Sequence, residues 1–221
     1  FLKKKKIFLI EDAAESLGSV CSKITSGKFG DLSIFSFHAT KNLTTGEGGM
    51  LLTDNSFIAK KIKLFRSHGV DKLRYKHLVF GHNFRLSNLL ASIGYSQSKR
   101  LSYINKKRLS LYKLYQKHLD LKKVNLQNFS NNKKAIPWTF ALTVKKKINI
   151  NKLSLFLYKN KIETRNGFFS PSRLKIYNVR KNLFKVSDYL SKSVICLPFF
   201  LELKEKDIQY ICRKINTFLK T

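Results

Sequence analysis

A four-residue apolar run, Ile7–Ile10 (IFLI), ends abruptly in the acidic pair Glu11–Asp12. The run is continuous rather than alternating, so it suits a strand buried on both faces, and such strands are typical of parallel sheets. Two further runs carry the same punctuation. LSIFSF (Leu32–Phe37) follows the turn SGKFGD, and GGMLLTD (Gly48–Asp54) is entered through glycines and left through Asp54–Asn55. Between the first two, AAESLGS reads as the start of a short helix with Asp12 near its N-terminus. Short buried strands alternating with helical segments read as a parallel α/β part.

Further along, residues 56–66 read as a helix, with Phe57, Ile58, Ile62 and Phe65 among lysines. Segment 67–86 (SHGVDKLRYKHLVFGHNFRL) has no period, and a loop of that length is longer than structural connections usually are, which argues for function. Ser87 is a good N-cap for a long amphipathic helix. Leu90, Ile93, Gln97, Leu101 and Ile104 recur at steps of three and four, and Leu111, Tyr115 and Leu119 continue the stripe, so one long helix, straight or kinked, is expected to run to about residue 119. After the polar linker LQNFSNNKKAI the pattern changes. WTFALTV (Trp138–Val144) alternates as a strand, Ile150–Asn160 is helical, IETR is extended, SVICLPFF holds an apolar strand, and KEKDIQYICRKINTFL closes the chain as an amphipathic helix. The expected order is residues 1–119 as part of a mainly parallel α/β domain with its connecting helix, then residues 120–221 as a small α+β domain.

The formal charge of +31 raises nucleic acid or an anionic membrane as a partner. Its distribution argues otherwise. Residues 7–55 hold three basic and six acidic side chains, so the excess lies elsewhere, in short clusters such as Lys60–Lys61 and Lys106–Arg108. No RNA-binding signature or finger spacing accompanies them. A lysine-rich solvated surface explains the charge better. No apolar run approaches the ~20 residues of a membrane helix. Cys21, Cys196 and Cys212 are widely spaced, which fits a reducing cytoplasm and offers no zinc pairing, and the histidines show no metal-ligand spacing.

Three features converge on chemistry. Asp12 stands at the carboxyl end of a strand, where ligands of open α/β sheets bind. Ser36-Phe37-His38-Ala39-Thr40-Lys41 follows another strand and presents a lysine beside hydroxyl donors. Gly46-Glu47-Gly48-Gly49 lets backbone pass close to a neighbour. A positioned lysine can form a Schiff base with a carbonyl, and a lysine paired with an aspartate for a pyridinium nitrogen is what pyridoxal phosphate chemistry demands. Taken singly, each residue has a plainer reading: Lys41 a surface charge, Asp12 a helix cap, Ser36 a strand residue, Asn83 a turn residue, the glycines a turn, Cys196 inert core.

Together, EDAAESLG, GDLSIFSFHATKNLTTGEGGMLLTDN, RSHG and GHNFRLSNLLASIGYSQ, followed by IETRNGFFSPSRL and SVICLPFF, resemble the DegT/DnrJ/EryC1/StrS family of pyridoxal phosphate-dependent sugar aminotransferases. The likeness spans nearly the whole chain and keeps the family's motif order. It implies a fold-type I enzyme, a homodimer with shared active sites, that moves an amine, with glutamate as donor, onto a nucleotide-linked keto sugar. The forms SFHATKNLTTGEGG and IETR look closest to enzymes acting at C4 of 4-keto-6-deoxy sugars, as in perosamine synthesis. By the same resemblance Lys41 is the Schiff-base lysine and proton carrier, Asp12 holds the pyridine nitrogen, Glu15 contacts the ring's 3-oxygen, and Ser36 binds the cofactor phosphate. Asn83 reaches the phosphate of the partner subunit's cofactor, and Arg165 with His38 lies on the substrate side. Relatives carry proline after that arginine, where this chain has Asn166-Gly167.

The family has a further domain-sized piece before IEDAA, and Phe1 stands directly ahead of that motif, so the resemblance also implies a fragment lacking the N-terminal part. Two other readings are a catalytically incompetent fragment or paralogue that keeps the fold, and a basic nucleic-acid-binding protein.

Overall fold

The computed structural model describes residues 3–127, 133–145, 148–177 and 183–220. In chain order the first elements are strands β1 (Ile10–Asp12), β2 (Val20–Cys21), β3 (Ile24–Thr25), β4 (Leu32–Ser36) and β5 (Gly49–Leu52). Helices α1 (Ser56–Arg66), α2 (Asn88–Ser98) and α3 (Leu101–His118) follow. Then come β6 (Val124–Leu126), β7 (Lys133–Lys134), β8 (Phe140–Val144), α4 (Ile150–Lys159), β9 (Arg165–Asn166), α5 (Lys185–Ser193), β10 (Val194–Leu197) and α6 (Glu205–Phe218).

The chain divides into two units, 1–105 with 130–138, and 106–129 with 139–221. The division between them falls inside α3. Leu111, Tyr115 and Leu119 on the later turns of that helix belong to the core of the second unit, whereas Leu101 packs on the core of the first. Residues 133–138 return to the first unit because Lys133–Lys134 pairs antiparallel with β2, and the Ile136 amide donates to Ser19 Oγ at 2.9 Å.

In the first unit the central sheet has the order β1-β4-β5. β1 and β4 are parallel, with Asp12 opposite Ile34, and β5 joins antiparallel, with Gly49 opposite Ser36. The sheet as described therefore has one parallel and one antiparallel pairing. Its core is small: Ala13, Phe35, Phe37 and Leu43 are buried, with Leu17 and Leu101 against them. The first strand differs from expectation, because pairing begins at Ile10 and Ile7, Phe8 and Ile10 are 49%, 52% and 58% exposed. No helix forms at 13–19 either. Gly18 has φ +82°, and a Cβ there would lie 2.3 Å from Asn105 Nδ2, so the backbone turns where a helix would have continued. A tight β2–β3 hairpin follows, with Ser22 and Lys23 both at positive φ.

The helices start where the sequence places them. Asn55 Oδ1 accepts the amides of Phe57 and Ile58, and Ser87 Oγ accepts that of Leu90, which satisfies donors that have no intrahelical partner. The long apolar stripe is two helices, α2 and α3, interrupted at Lys99–Arg100 without a proline.

The second unit is a four-stranded antiparallel sheet, β6-β8-β10-β9. Phe140, Leu153, Ile195, Ile208 and Ile215 are fully buried in its core, and Tyr115 stacks on Phe140 at 4.3 Å while donating its hydroxyl to Pro198 O. Cys196 is buried core, as expected from its apolar strand. Burial pushes the Cys212 thiol up to about 12. Of the expected polar linker, residues 128–132 lie outside the described residues.

Candidate active site

Because β1 and β4 are parallel, their carboxyl ends open on the same edge of the sheet, and Asp12 and Ser36 emerge there together. Asp12 Oδ1 accepts the Ala14 amide at 3.0 Å, which fixes the exit turn and leaves Oδ2 for another donor. After Ser36 the chain makes the excursion 37–48 and returns as β5. The excursion is closed at its base by Phe37 N donating to Gly48 O at 2.8 Å and Thr45 N donating to Phe37 O at 2.9 Å. Gly46 (φ +82°) and Gly48 (φ +146°) make that closure sterically possible.

Lys41 sits on this excursion, its amide donating to His38 O at 3.0 Å. Its side chain is only 14% exposed, and Nζ donates to Glu15 Oε1 at 2.9 Å. The same Nζ lies 4.3 Å from the centroid of the Trp138 ring, whose Nε1 donates to Thr40 O at 2.8 Å. Asn42, next along, is buried, and its Oδ1 has no hydrogen-bond partner among the described residues. Ser36 Oγ accepts the His38 amide at 3.3 Å, His38 Nδ1 meets Thr40 Oγ1 at 3.1 Å, and His38 Nε2 stands 3.7 Å from Glu47.

The structure thus brings Lys41, Glu15, Ser36 and His38 into one hydrogen-bonded neighbourhood at the edge that carries Asp12. Asn83 stands elsewhere in the first unit, exposed and bridged to Ser67 within the segment 67–86. Arg165 belongs to the second unit, on β9 opposite Cys196, its guanidinium 5.8 Å from the Phe168 ring.

Two supporting residues were not singled out from the sequence. Glu11 accepts the amides of Gly27 and Phe29 at 2.8 and 3.0 Å and the hydroxyl of Ser33 at 3.0 Å. Burial works to raise the Glu11 carboxyl, but these donors and the Gly30 amide outweigh it and hold the group below the ordinary glutamate range. The acidic pair at the end of β1 therefore divides its labour: Glu11 braces the turn before β4, and Asp12 faces the open edge. Trp138 is the other. It is the sole tryptophan of the chain, and nothing local marks it as more than the start of a strand.

Segment 67–86 forms, with α1, a cavity of about 810 Å³ lined by Lys60, Lys63, Arg66, Arg74, Arg85 and His77, with Asp71 as its acidic member. The loop is well braced, since His68 N donates to His82 O, Leu78 N to Gly69 O, and Phe84 N to Arg66 O. A Cβ on Gly69 would lie 1.9 Å from Val79 O, so only glycine fits where the strands of the loop cross. Among the described residues no group of three or more His, Cys, Asp and Glu side chains could hold a metal ion, and no helix is long and apolar enough to cross a membrane.

As a set, the edge residues fit pyridoxal phosphate. A shielded primary amine suits its carbonyl, the free Asp12 oxygen suits a protonated ring nitrogen, the Ser36 hydroxyl suits its phosphate, and the unpartnered Asn42 Oδ1 marks an acceptor the fold leaves open beside the lysine.

Residues 2–216 match the sequence model of the DegT/DnrJ/EryC1/StrS aminotransferase family. GDP-perosamine synthase of Escherichia coli O157:H7 is 31% identical over 98% of this chain, and the chain spans 59% of the length of that relative. Among solved structures, Helicobacter pylori PseC, an aminotransferase involved in the biosynthesis of pseudoaminic acid, superposes with a TM-score of 0.87 at 26% identity, over 99% of this chain and 61% of that one. The PLP form of Spr1654, a candidate sugar aminotransferase of Streptococcus pneumoniae, gives 0.90 at 21% identity over 97% of this chain and 58% of that one, a likeness of fold.

Proposed function

We propose a function from the premise that this chain belongs to the DegT/DnrJ/EryC1/StrS aminotransferase family. Its protein transfers an amino group to a keto sugar carried on a nucleotide, with pyridoxal phosphate as cofactor and glutamate as donor. The position aminated is C4 of a 4-keto-6-deoxy sugar, a reading supported by the likeness to GDP-perosamine synthase. When bound, pyridoxal phosphate supplies a carbonyl that takes up an amine and a ring that accepts electrons as a proton leaves the substrate.

The observation that carries this reading is Lys41, a nearly buried amine at the carboxyl edge of β4, aimed at a carboxylate 2.9 Å away. Its Nζ would hold the cofactor and would carry the substrate proton. Asp12 Oδ2 would serve the ring nitrogen, Glu15 would contact the 3-oxygen, and Ser36 would donate to the phosphate. Asn83 serves the cofactor phosphate of a partner subunit in a homodimer, and His38 and Arg165 serve the substrate. The arginine- and lysine-lined cavity of segment 67–86 supports a substrate that bears phosphate groups. Free cysteines are in keeping with a reducing compartment, the cytoplasm.

The test is to incubate the protein with pyridoxal phosphate, reduce with borohydride and map the modified peptide. The expected result is a stable adduct on Lys41, with amine transfer from glutamate to a nucleotide-linked 4-keto-6-deoxy sugar. Lys41→Ala and Lys41→Arg should both lose the adduct and the transfer, since a guanidinium stays protonated and cannot bond to a carbonyl carbon. Adduct formation spread over surface lysines, with turnover unchanged in Lys41→Ala, overturns the assignment.

A further inference from the structure

The Lys41 side chain is held from two sides. Glu15 Oε1 is 2.9 Å from Nζ, and the face of Trp138 is 4.3 Å from it. The indole does a second thing at the same place: its Nε1 donates to the carbonyl of Thr40, the residue before Lys41, at 2.8 Å. One rigid ring therefore fixes both the main chain of the turn and the end of the side chain that grows from it. Other lysine–aromatic contacts here, Lys61 with Phe57 and Lys99 with Tyr95, join neighbours one helical turn apart. The Trp138 contact spans most of the first unit's sequence, and it exists only because β7 returns residues 133–138 to β2. A lysine tether loses rotamer entropy on being ordered. A long-range aromatic contact on top of an ion pair is more than a solvent-facing lysine receives.

We infer that Trp138 is a positioning residue for Lys41. In the cofactor-free chain it parks the Lys41 ammonium between its π face and Glu15, and through Thr40 it sets the turn from which the amine is presented. An aromatic face attracts an ammonium and not a neutral amine, so the contact releases Nζ when its proton passes to Glu15 Oε1 and the lone pair is free to bond with a carbonyl. The parking geometry stands on contacts alone; its purpose rests on the reading of Lys41 as the cofactor lysine.

The experiment uses the cofactor-free protein and an amine-selective acylating reagent, with the rate at Lys41 read peptide by peptide by mass spectrometry. Because Trp138 is the sole tryptophan, growth on 5-fluoro-, difluoro- and tetrafluorotryptophan alters this ring and no other. Each fluorine withdraws electron density from the face, leaves the shape nearly unchanged, and keeps the N–H as a donor to Thr40, if anything a stronger one. The acylation rate at Lys41 should climb stepwise through the series to about fivefold, the worth of a partly desolvated cation–π contact, while rates at Lys61 and Lys99 stay level. Trp138→Leu should reach the same ceiling, and Trp138→Phe, which keeps a face but drops the bond to Thr40, should fall between. A second readout is Trp138 fluorescence, which should change in Lys41→Met. A flat rate across the fluorinated series makes Trp138 a space-filler and overturns the inference, even where Trp138→Leu changes the rate. Addition of pyridoxal phosphate then separates the two readings. Loss of Lys41 acylation on its addition supports the cofactor role, and its persistence sinks that role without touching the parking contact.

Discussion

Gln97 on α2 holds Thr44 at both of its main-chain polar groups: Nε2 donates to the Thr44 carbonyl at 3.0 Å, and Oε1 accepts the Thr44 amide at 3.2 Å. This reciprocal pair ties the Lys41 excursion to a helix. Gln97→Met keeps the length of the side chain and removes both bonds, leaving two part-buried backbone groups to find water. The expected loss is about 1–3 kcal/mol, seen as a lower midpoint in thermal or urea unfolding. Gln97→Glu keeps the acceptor but sets a carboxylate oxygen against the Thr44 carbonyl, so it too should fall below wild type. Equal stability of all three proteins would show that solvent replaces the clamp.

The Glu11 carboxylate predicts an acid-sensitive first unit. Its folded-state pKa is depressed, so the stabilisation it provides is complete above its unfolded value and is lost as pH falls through its folded value. Glu11→Gln cannot change charge and lacks one acceptor for the Gly27 and Phe29 amides. Melting temperatures of wild type and Glu11→Gln should differ near neutral pH and converge below about pH 4, where glutamate protonates. A gap that persists unchanged into acid would mean that packing, not charge, carries the role of Glu11.

Much of this arrangement was legible in the sequence because it is local. Asn55 and Ser87 cap helices by bonding to residues two or three ahead, and the glycines around Glu47 sit where the backbone takes positive φ. The parts that were not legible depend on distant partners. The motif supplies Glu11 and Asp12 side by side, and only the return of residues 27–33 decides which one is consumed by structure. Gln97 reads as a polar interruption of an apolar stripe until the excursion it clamps is in place. Ala13–Ser19 has helix-compatible composition, yet Gly18 must pass against Asn105 and the segment turns. The β2–β3 turn uses Ser22-Lys23 at positive φ, where the usual Asn-Gly signal is absent.

Asp12→Asn tests the remaining carboxylate of the pair. Asn Oδ1 can still accept the Ala14 amide, so the exit turn and the melting temperature should be preserved. What changes is the partner offered to the cofactor's ring nitrogen. A charge-assisted bond becomes a neutral one, a loss of about 1.5–3 kcal/mol, measured as weaker pyridoxal phosphate binding by titration. Unchanged affinity together with unchanged stability would leave Asp12 as a turn residue only.

The last prediction concerns Gly94, which is buried in the middle of α2. Alanine is favoured over glycine within a helix by about 1 kcal/mol, so Gly94→Ala on an isolated helix would stabilise. Here the new Cβ would lie 2.6 Å from Thr45 Cγ2. Thr45 is 1% exposed and cannot step aside cheaply, because its amide donates to Phe37 O at 2.9 Å and its hydroxyl to Glu47 O at 2.7 Å. Overpacking of a fixed neighbour costs about 1–3 kcal/mol, so Gly94→Ala should lower the melting temperature, and because Thr45 closes the Lys41 excursion it should weaken pyridoxal phosphate binding as well. Thr45→Ser removes the offending methyl and keeps the hydroxyl. In the double variant the clash is gone and the helix preference is free to act, so Gly94→Ala should stabilise when made in the Thr45→Ser background and destabilise when made in wild type. A change of sign in that cycle is the signature of direct contact; the same sign in both backgrounds would place the effect of Gly94 somewhere other than Thr45.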